Sequence, residues 1–381
     1  MTYTLFRGIL ETIKTKFLLV THHLSLVTFG KLMKFSVCIP NYNYEQYIGR
    51  TIESVFAQSY NNFEILVSDN ASTDKSQEVI GNFKDERLRL SVNACNVGFA
   101  ANLDKAAQMA TGDFQIMLSS DDLMRFDALD TYQKLLITLG KSASGAIVSS
   151  TMDEIDSDDN ITGLHNADKE LWKESERDSE LEKIVGAPVY CVAAGVLLKR
   201  CLLTMKNPFN FAATCYSHEL YKRVEGYIGG RLINPDKWFN WRLLSVAEHA
   251  YFIDRPLFAY RWHQSNQTAQ QSATGALKYL VDEYVSTLEL NGSVLKRSGL
   301  TKEDIESSFI ENDIINHGLS TLARGQRERA RRILNFGYAT YPQYLRGNFR
   351  ARAFAALLKL KPLDVAIARY AYQRYKRGKV K

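Results

Sequence analysis

Apolar positions between residues 35 and 125 alternate between two rhythms. FSVCIP (35–40), FEILVSDN (63–70) and DFQIMLS (113–119) are short, nearly continuous apolar runs and read as buried strands, while RLRLSVN (87–93) alternates Leu88, Leu90 and Val92 as a fourth. Between them the spacing turns helical. YEQYIGRTIESVFAQ carries Ile48, Ile52, Val55 and Phe56 behind Asn43 as a cap, and ASTDKSQEVIGNF carries Val79, Ile80 and Phe83 behind Ser72, Thr73 or Asp74. NVGFAANLDKAAQMATG then forms a helix ending at Gly112. This alternation predicts a mostly parallel, doubly wound α/β sheet with helices on both faces.

Further along, residues 126–140 predict a helix, AIVSST a strand, DEIDSDDN a solvated acidic turn and VYCVAAGVLLKR a buried strand. From residue 276 onward the pattern is helical, in ALKYLVDEYVSTLEL, KEDIESSFIENDIINHGLSTLA and QRERARRILNFGYATYP, the last two parted by Gly325. The polar stretch TAQQSATG marks the boundary. The chain therefore divides into an N-terminal extension (1–33), an α/β domain (34–270) and a helical C-terminal region (271–381). For residues 1–32 two readings stand, an amphipathic peripheral helix or translation from an upstream start ahead of Met33.

In parallel sheets ligands bind beyond the carboxyl ends of the strands. Polar residues collect at three such ends: Asn41 and Asn43, Asp69 and Asn70, and the pair Asp121 and Asp122 in MLSSDD. Adjacent carboxylates at the end of a buried strand need water, helix amides or a cation. Oxygen ligands of this kind suit Mg²⁺ or Mn²⁺, whereas a helix N-terminus ahead of LMRFDALDTYQKLL would serve the same acids as caps. Neither a P-loop nor GxGxxG is present, so phosphate would be neutralised by a metal or by basic side chains.

Composition adds three points. Net charge is only +6, and the excess is concentrated in residues 346–381, where Asp364 is the lone acid. Phe354, Leu357, Leu358, Val365, Ala368, Tyr372 and Tyr375 recur at helical spacing there, which fits an anionic membrane surface and equally a helix packed on its own domain. No base-reading module accompanies this charge, so nucleic acid is not expected as a partner. Cys38, Cys95, Cys191, Cys201 and Cys215 show no CxxC, in keeping with reduced thiols in the cytoplasm, and no apolar stretch has the length of a membrane span.

FSVCIPNYNYEQYIGRTIESVFAQSYNNFEILVSDNASTD followed by NVGFAANLDKAAQMATGDFQIMLSSDD resembles the nucleotide-sugar half of glycosyltransferase family 2, strongly over residues 35–125 and more loosely to about 268. The resemblance implies a GT-A fold, with residues 34–125 binding a nucleoside-diphosphate sugar (a UDP-sugar first), residues 126–270 forming the acceptor side, and a C-terminal α-helical extension. It implies inverting transfer to a hydroxyl of a glycan or lipid-linked glycan in surface polysaccharide synthesis, with Mn²⁺ or Mg²⁺ as cofactor. The implied nucleotide-sugar-binding residues are Pro40, Asn41, Tyr42, Asn43, Asp69, Asn102, Ser120, Asp121 and Arg261. Asp69 would accept from the base. Asp121, Asp122 and His263 are the implied metal residues, with Ser119 standing where the family usually has an acid. Asp236 matches the position of the general base, with Pro235 in place of a preceding acid. A sugar nucleotidyltransferase, which would need a glycine-rich basic loop in place of NYNYEQ, and a catalytically silent binding protein are the alternatives.

Overall fold

A computed structural model describes residues 33–227, 232, 235–263, 266, 276–360 and 364–379. The N-terminal segment, and the linker in which the domain boundary falls, lie outside the described residues. The first four runs form β1 (Phe35–Asn41), β2 (Phe63–Asp69), β3 (Leu88–Val92) and β4 (Phe114–Met117), parallel neighbours in the order β3-β2-β1-β4. The register sets Asn41 level with Asp69, so the loops after β1 and β2 leave the sheet side by side.

Then follow β5 (Leu123–Met124), β6 (Ala146–Ile155), β7 (Ile161–His165), β8 (Val189–Ala193), β9 (Cys215–Ser217) and β10 (His249–Arg261). Here the ten-stranded sheet becomes mixed. β10 runs parallel to β6, while β9 is antiparallel to both β4 and β6, and β5 and β8 are antiparallel to β10. The long β10 thereby carries Arg261 up to the acids that follow β4.

Alternation within each strand divides the core between the two faces. Phe35, Val37 and Ile39 of β1 pack with Ile48, Ile52 and Val55 on one side, and Cys38 packs with Leu103, Ala106 and Ala107 on the other. Helices Ile48–Phe56 and Ala128–Leu139 cover the first face, and helices Phe99–Gln108, Ala194–Thr204 and Pro235–Val246 the second. The α/β fold with helices on both faces is the expected one.

Three local expectations are corrected. VYCVAAGVLLKR is a strand only to Ala193 and then a helix, Ala194–Thr204, since an apolar run has no periodicity that separates the two states. The acidic turn begins at Asp156, because Asp153, Glu154 and Ile155 extend β6. Asn43 does not cap its helix, whose N-cap is Tyr47. Instead it adopts φ of 58°, a conformation asparagine tolerates, and accepts from Thr73 N at 2.8 Å.

The C-terminal helices share the second core. Helix Lys302–Phe309 packs on Ala194–Thr204, helix Gly292–Ser298 packs on Pro235–Val246, and Phe309, Ile314, Leu345 and Phe354 are fully buried in the same cluster as Trp241. Asn312 Nδ2 donates to Leu203 O at 3.1 Å and Arg297 Nη2 to Ala247 O at 2.8 Å, so residues of this region satisfy carbonyls at the C-terminal ends of two α/β-domain helices. Gly325, at φ of 82°, turns the chain between helices His317–Ala323 and Arg327–Thr340 as a hairpin. The expected single helix over 302–323 is interrupted by a π-helical segment, Ile310–Asn316. No described helix is long and apolar enough to cross a membrane.

A shared core predicts one cooperative transition. Ile305→Ala, deleting a fully buried side chain in the helix that packs on Ala194–Thr204, lowers stability by about 2 to 5 kcal/mol. Scanning calorimetry then shows a single endotherm at lower temperature, whereas two separated endotherms contradict the shared core.

Candidate active site

Loops after β1, β2 and β4, the end of β10 and the start of helix Pro235–Val246 surround a cleft of about 810 Å³. Of the residues expected at the site, Pro40, Asn41, Tyr42, Asn43, Asn102, Ser120, Asp121, Asp122 and Asp236 line it. Asp69, Arg261 and His263 stand behind its wall.

Asp69 is fully buried and answers its charge inside the protein. Its Oδ2 accepts from Asn41 Nδ2 at 2.8 Å and Ser72 Oγ at 2.6 Å, and its Oδ1 from Ser72 N at 2.9 Å and Gln77 Nε2 at 3.0 Å. The carboxylate thus ties the β1 loop to the β2 loop. Glu45 N to Asp74 Oδ2 (2.9 Å) and Lys75 N to Glu45 Oε2 (2.6 Å) add further ties. Holding Asn41 by its amide nitrogen leaves Asn41 Oδ1, a buried acceptor in a cleft-lining residue, with no partner among the described residues. Asn102 is fixed from the other side by Ser68 and Asn93, at 2.8 and 2.9 Å to its Oδ1.

The two adjacent acids diverge. Thr51 Oγ1 holds the turn by donating to Ser120 O at 3.0 Å and Asp122 O at 2.9 Å. Asp122 points inward, where its Oδ1 accepts from Arg261 N at 3.0 Å, and burial followed by the neighbouring Asp121 charge holds its carboxyl well above the usual carboxylate range. Asp121 turns the other way and meets His263 Nε2 at 3.0 Å through Oδ2, with Asn266 Nδ2 at 3.4 Å from the same oxygen. His263 is wedged against the rings of Tyr47 and Tyr44, 4.6 and 5.8 Å between centroids. Arg261 is fully buried and directs its guanidinium into the wall: Nε donates to Asp121 O at 2.7 Å and Nη1 to Asp156 O at 2.9 Å, with Asp159 as its ion-pair partner. It braces the Asp121 backbone.

These donors bear on the expected cation. Asp121 Oδ2 and His263 Nε2, 3.0 Å apart, are close enough that both would hold one ion. A carboxylate and an imidazole fit a hard divalent ion that completes its shell with water and phosphate oxygens. Among the described residues no group of three or more His, Cys, Asp or Glu side chains is disposed to hold one.

Asp236 sits in the first turn of a helix opened by Pro235, whose missing N–H costs nothing at that position. Asn207 Nδ2 donates to Asp236 Oδ2 at 2.9 Å and Asn240 Nδ2 in turn holds Asn207 Oδ1, also at 2.9 Å. Desolvation pushes the Asp236 carboxyl upward against the nearby amides and Lys237. Among the tryptophans near these groups, Trp238 and Trp241 are core, and Trp262, 44% exposed, lines the cleft. Sequence reasoning missed Asn266 and Asn207. Asn207 reaches Asp236 across 29 positions and no local pattern marks it, while Asn266 lies just past the RWH segment and was within reach of a closer reading.

Fold and cleft define a GT-A-type protein. Residues 36–194 match the family model described as Glycosyl transferase family 2, and this segment belongs to that family. A Haemophilus influenzae protein named as an uncharacterized glycosyltransferase is 40% identical over 97 residues, 25% of this chain and 39% of that protein. UDP-Glc:alpha-D-GlcNAc-diphosphoundecaprenol beta-1,3-glucosyltransferase WfgD of Escherichia coli is 33% identical over 102 residues, 27% of this chain and 40% of its own length. The chain thus spans about two fifths of these relatives. TarS residues 1–349 of S. aureus, in complex with UDP-GlcNAc, superposes with a TM-score of 0.58 at 18% identity over 91% of this chain and 92% of that one. At that identity the likeness is one of fold.

The inward Asp122 yields a test. Asp122→Asn keeps an acceptor for Arg261 N and leaves stability nearly unchanged, whereas Asp122→Ala strands a buried N–H at about 1 to 3 kcal/mol. Denaturant titration of both variants checks the difference; equal losses contradict this placement.

Proposed function

We propose that the protein is an inverting glycosyltransferase that moves a sugar from a nucleoside-diphosphate donor to a hydroxyl of a glycan or lipid-linked glycan. The observation that carries the reading is the meeting, in one cleft, of the interlocked strand-end loops with Asp121 and of a desolvated carboxylate on a separate helix, Asp236. The first group suits a nucleotide and its diphosphate. The second suits proton removal from an acceptor. The UDP-GlcNAc in complex with TarS and the diphosphoundecaprenol in the name of WfgD support a UDP-sugar donor and a lipid-linked acceptor.

The geometry supports a role for each residue in this reading. Asn41 offers an unpartnered acceptor to a nucleobase N–H, Pro40, Tyr42, Asn43 and Asn102 shape the floor beside it, and Asp69 holds that floor rigid from behind. Asp121 and His263 would hold Mn²⁺ or Mg²⁺, which when bound supplies positive charge against the departing diphosphate. Asp122, its carboxyl held above the usual carboxylate range, braces Arg261 N, and Arg261 fixes the backbone on which Asp121 rides. Asp236, oriented by Asn207, takes the acceptor proton as the hydroxyl attacks the anomeric carbon from the face opposite the diphosphate. Its raised proton affinity brings it nearer the working pH of a general base.

The C-terminal region supplies the surface for an anionic membrane, the acceptor's location in this reading. The helices over 349–357 and 364–379 are packed, with Ala351, Phe354 and Ala368 at most 1% exposed, yet Phe349 is 80% and Tyr370 65% exposed. Arg346, Arg352, Lys359 and Arg369 are exposed and form no ion pair among the described residues. Apolar side chains flanked by unpaired cations suit a peripheral protein at the inner membrane face.

Two measurements test the proposal. With UDP-N-acetylglucosamine or UDP-glucose and Mn²⁺, release of UDP should fall on the acid side of a pH profile at a midpoint above that of an ordinary aspartate, since a base must be ionised to act. Asp236→Asn should lose roughly 10²-fold or more in rate at unchanged donor affinity; a rate near native returns Asp236 to a helix-capping role. For the membrane face, replacing Arg346, Arg352, Lys359 and Arg369 by glutamate should abolish sedimentation with phosphatidylserine vesicles at low salt while the melting temperature holds. Unchanged sedimentation removes this surface from the account.

A further inference from the structure

A second group of buried titratable side chains lies behind Asp236, outside the cleft. Lys237 pairs with Glu283 of helix Ala276–Leu288 and donates to Met205 O at 3.0 Å, its ammonium 5.0 Å from the ring centroid of Trp241. Glu283 is 5% exposed. One turn earlier Tyr279 donates to Asp313 Oδ1 at 2.8 Å, and Asp313 belongs to the π-helical segment Ile310–Asn316, its Oδ2 buried with no partner among the described residues. Such segments sacrifice regular hydrogen bonding and recur at functional positions. Here the wider turn sits where Asp313 enters the cluster.

Among the described residues Asp236, Glu283 and Asp313 share the charge of one ammonium, that of Lys237. Among the described residues the other titratable neighbours include Tyr227 and Cys201, both uncharged near neutrality, and His317, which packs on Tyr279 and is held down to about 4 by burial and by Arg324 and Arg329. Burial raises Glu283, and burial with the Glu283 charge raises Asp313 to about 7. The share of the Lys237 charge that reaches Asp236 therefore depends on what the C-terminal acids take.

Resting on the reading of Asp236 as the base, we propose that Glu283 is its positioning residue. By gripping Lys237, Glu283 fixes the first turn of helix Pro235–Val246 and draws the ammonium away from the Asp236 carboxylate. The transfer centre is then completed by the C-terminal helices, although none of their described residues lines the cleft. A Lys–Glu pair joining two regions could serve packing alone. What separates the two roles is the electrostatic effect on Asp236, which packing does not predict.

The test uses the full chain labelled with carbon-13 at aspartate carboxyls, Asp236 being assigned by the resonance lost in Asp236→Asn. Glu283→Gln preserves shape and removes the competing charge. The Asp236 titration midpoint then moves to lower pH by about half a unit or more, and in Lys237→Met it moves higher. A midpoint that stays in place in Glu283→Gln, with only the melting temperature lowered, overturns the inference. Turnover of Asp236→Asn keeps the two readings apart. Native turnover there overturns the base role and this inference with it, whereas lost turnover with an unmoved midpoint overturns this inference alone.

Discussion

A carboxylate at the end of a buried strand must find donors, share a cation or give up its charge, and this chain places such groups around one cleft. Asp69 finds four donor contacts from three residues and thereby locks two loops together. Asp122 is held toward its neutral form and accepts a backbone amide. Asp121 meets an imidazole, and Asp236 an amide side chain. Each solution fixes a piece of backbone. The cleft keeps its shape because its acids have been answered individually, and the acids that remain available to a ligand, Asp121 and Asp236, line the cleft with the side-chain contacts of each, among the described residues, on one oxygen, Oδ2.

The same constraint explains why the second half of the sheet departs from a parallel order. β10 has to deliver Arg261 N to Asp122 and Arg261 Nε to the carbonyl of Asp121, and it does so by pairing in parallel along the ten residues of β6 beside the short antiparallel β5. The C-terminal helices extend this logic to the other face, where Asn312 and Arg297 satisfy carbonyls at helix ends and Glu283 takes the ammonium beside Asp236.

Much of this was legible in the sequence. The strand and helix rhythm of residues 35–125, the convergence of Asn41 and Asp121 at strand ends, and the first-turn position of Asp236 were readable from local pattern, and Asn102 came from the family resemblance. Direction within the site was not. Adjacent Asp121 and Asp122 look alike in a string, and only the approach of β10 turns one inward and the other toward His263. Asp69 reads as a ligand-binding acid, but its exposure depends on whether Ser72 and Gln77 reach it first. The sequence left the basic tail between a membrane surface and packing on its own domain, because charge patterning does not register that Ala351 and Ala368 are fully buried.

The central claim is that Asp121 with His263 on one side, and Asp236 on the other, embrace the reacting end of a nucleotide sugar. Diffraction from crystals grown with UDP and Mn²⁺, with the ion located by its anomalous signal, tests it most directly. The account predicts manganese within about 2.3 Å of Asp121 Oδ2 and His263 Nε2, the diphosphate on the ion, the uracil against Asn41, and the open end of the cleft leading to Asp236. Manganese bound elsewhere, or a nucleotide lying outside this cleft, would contradict it.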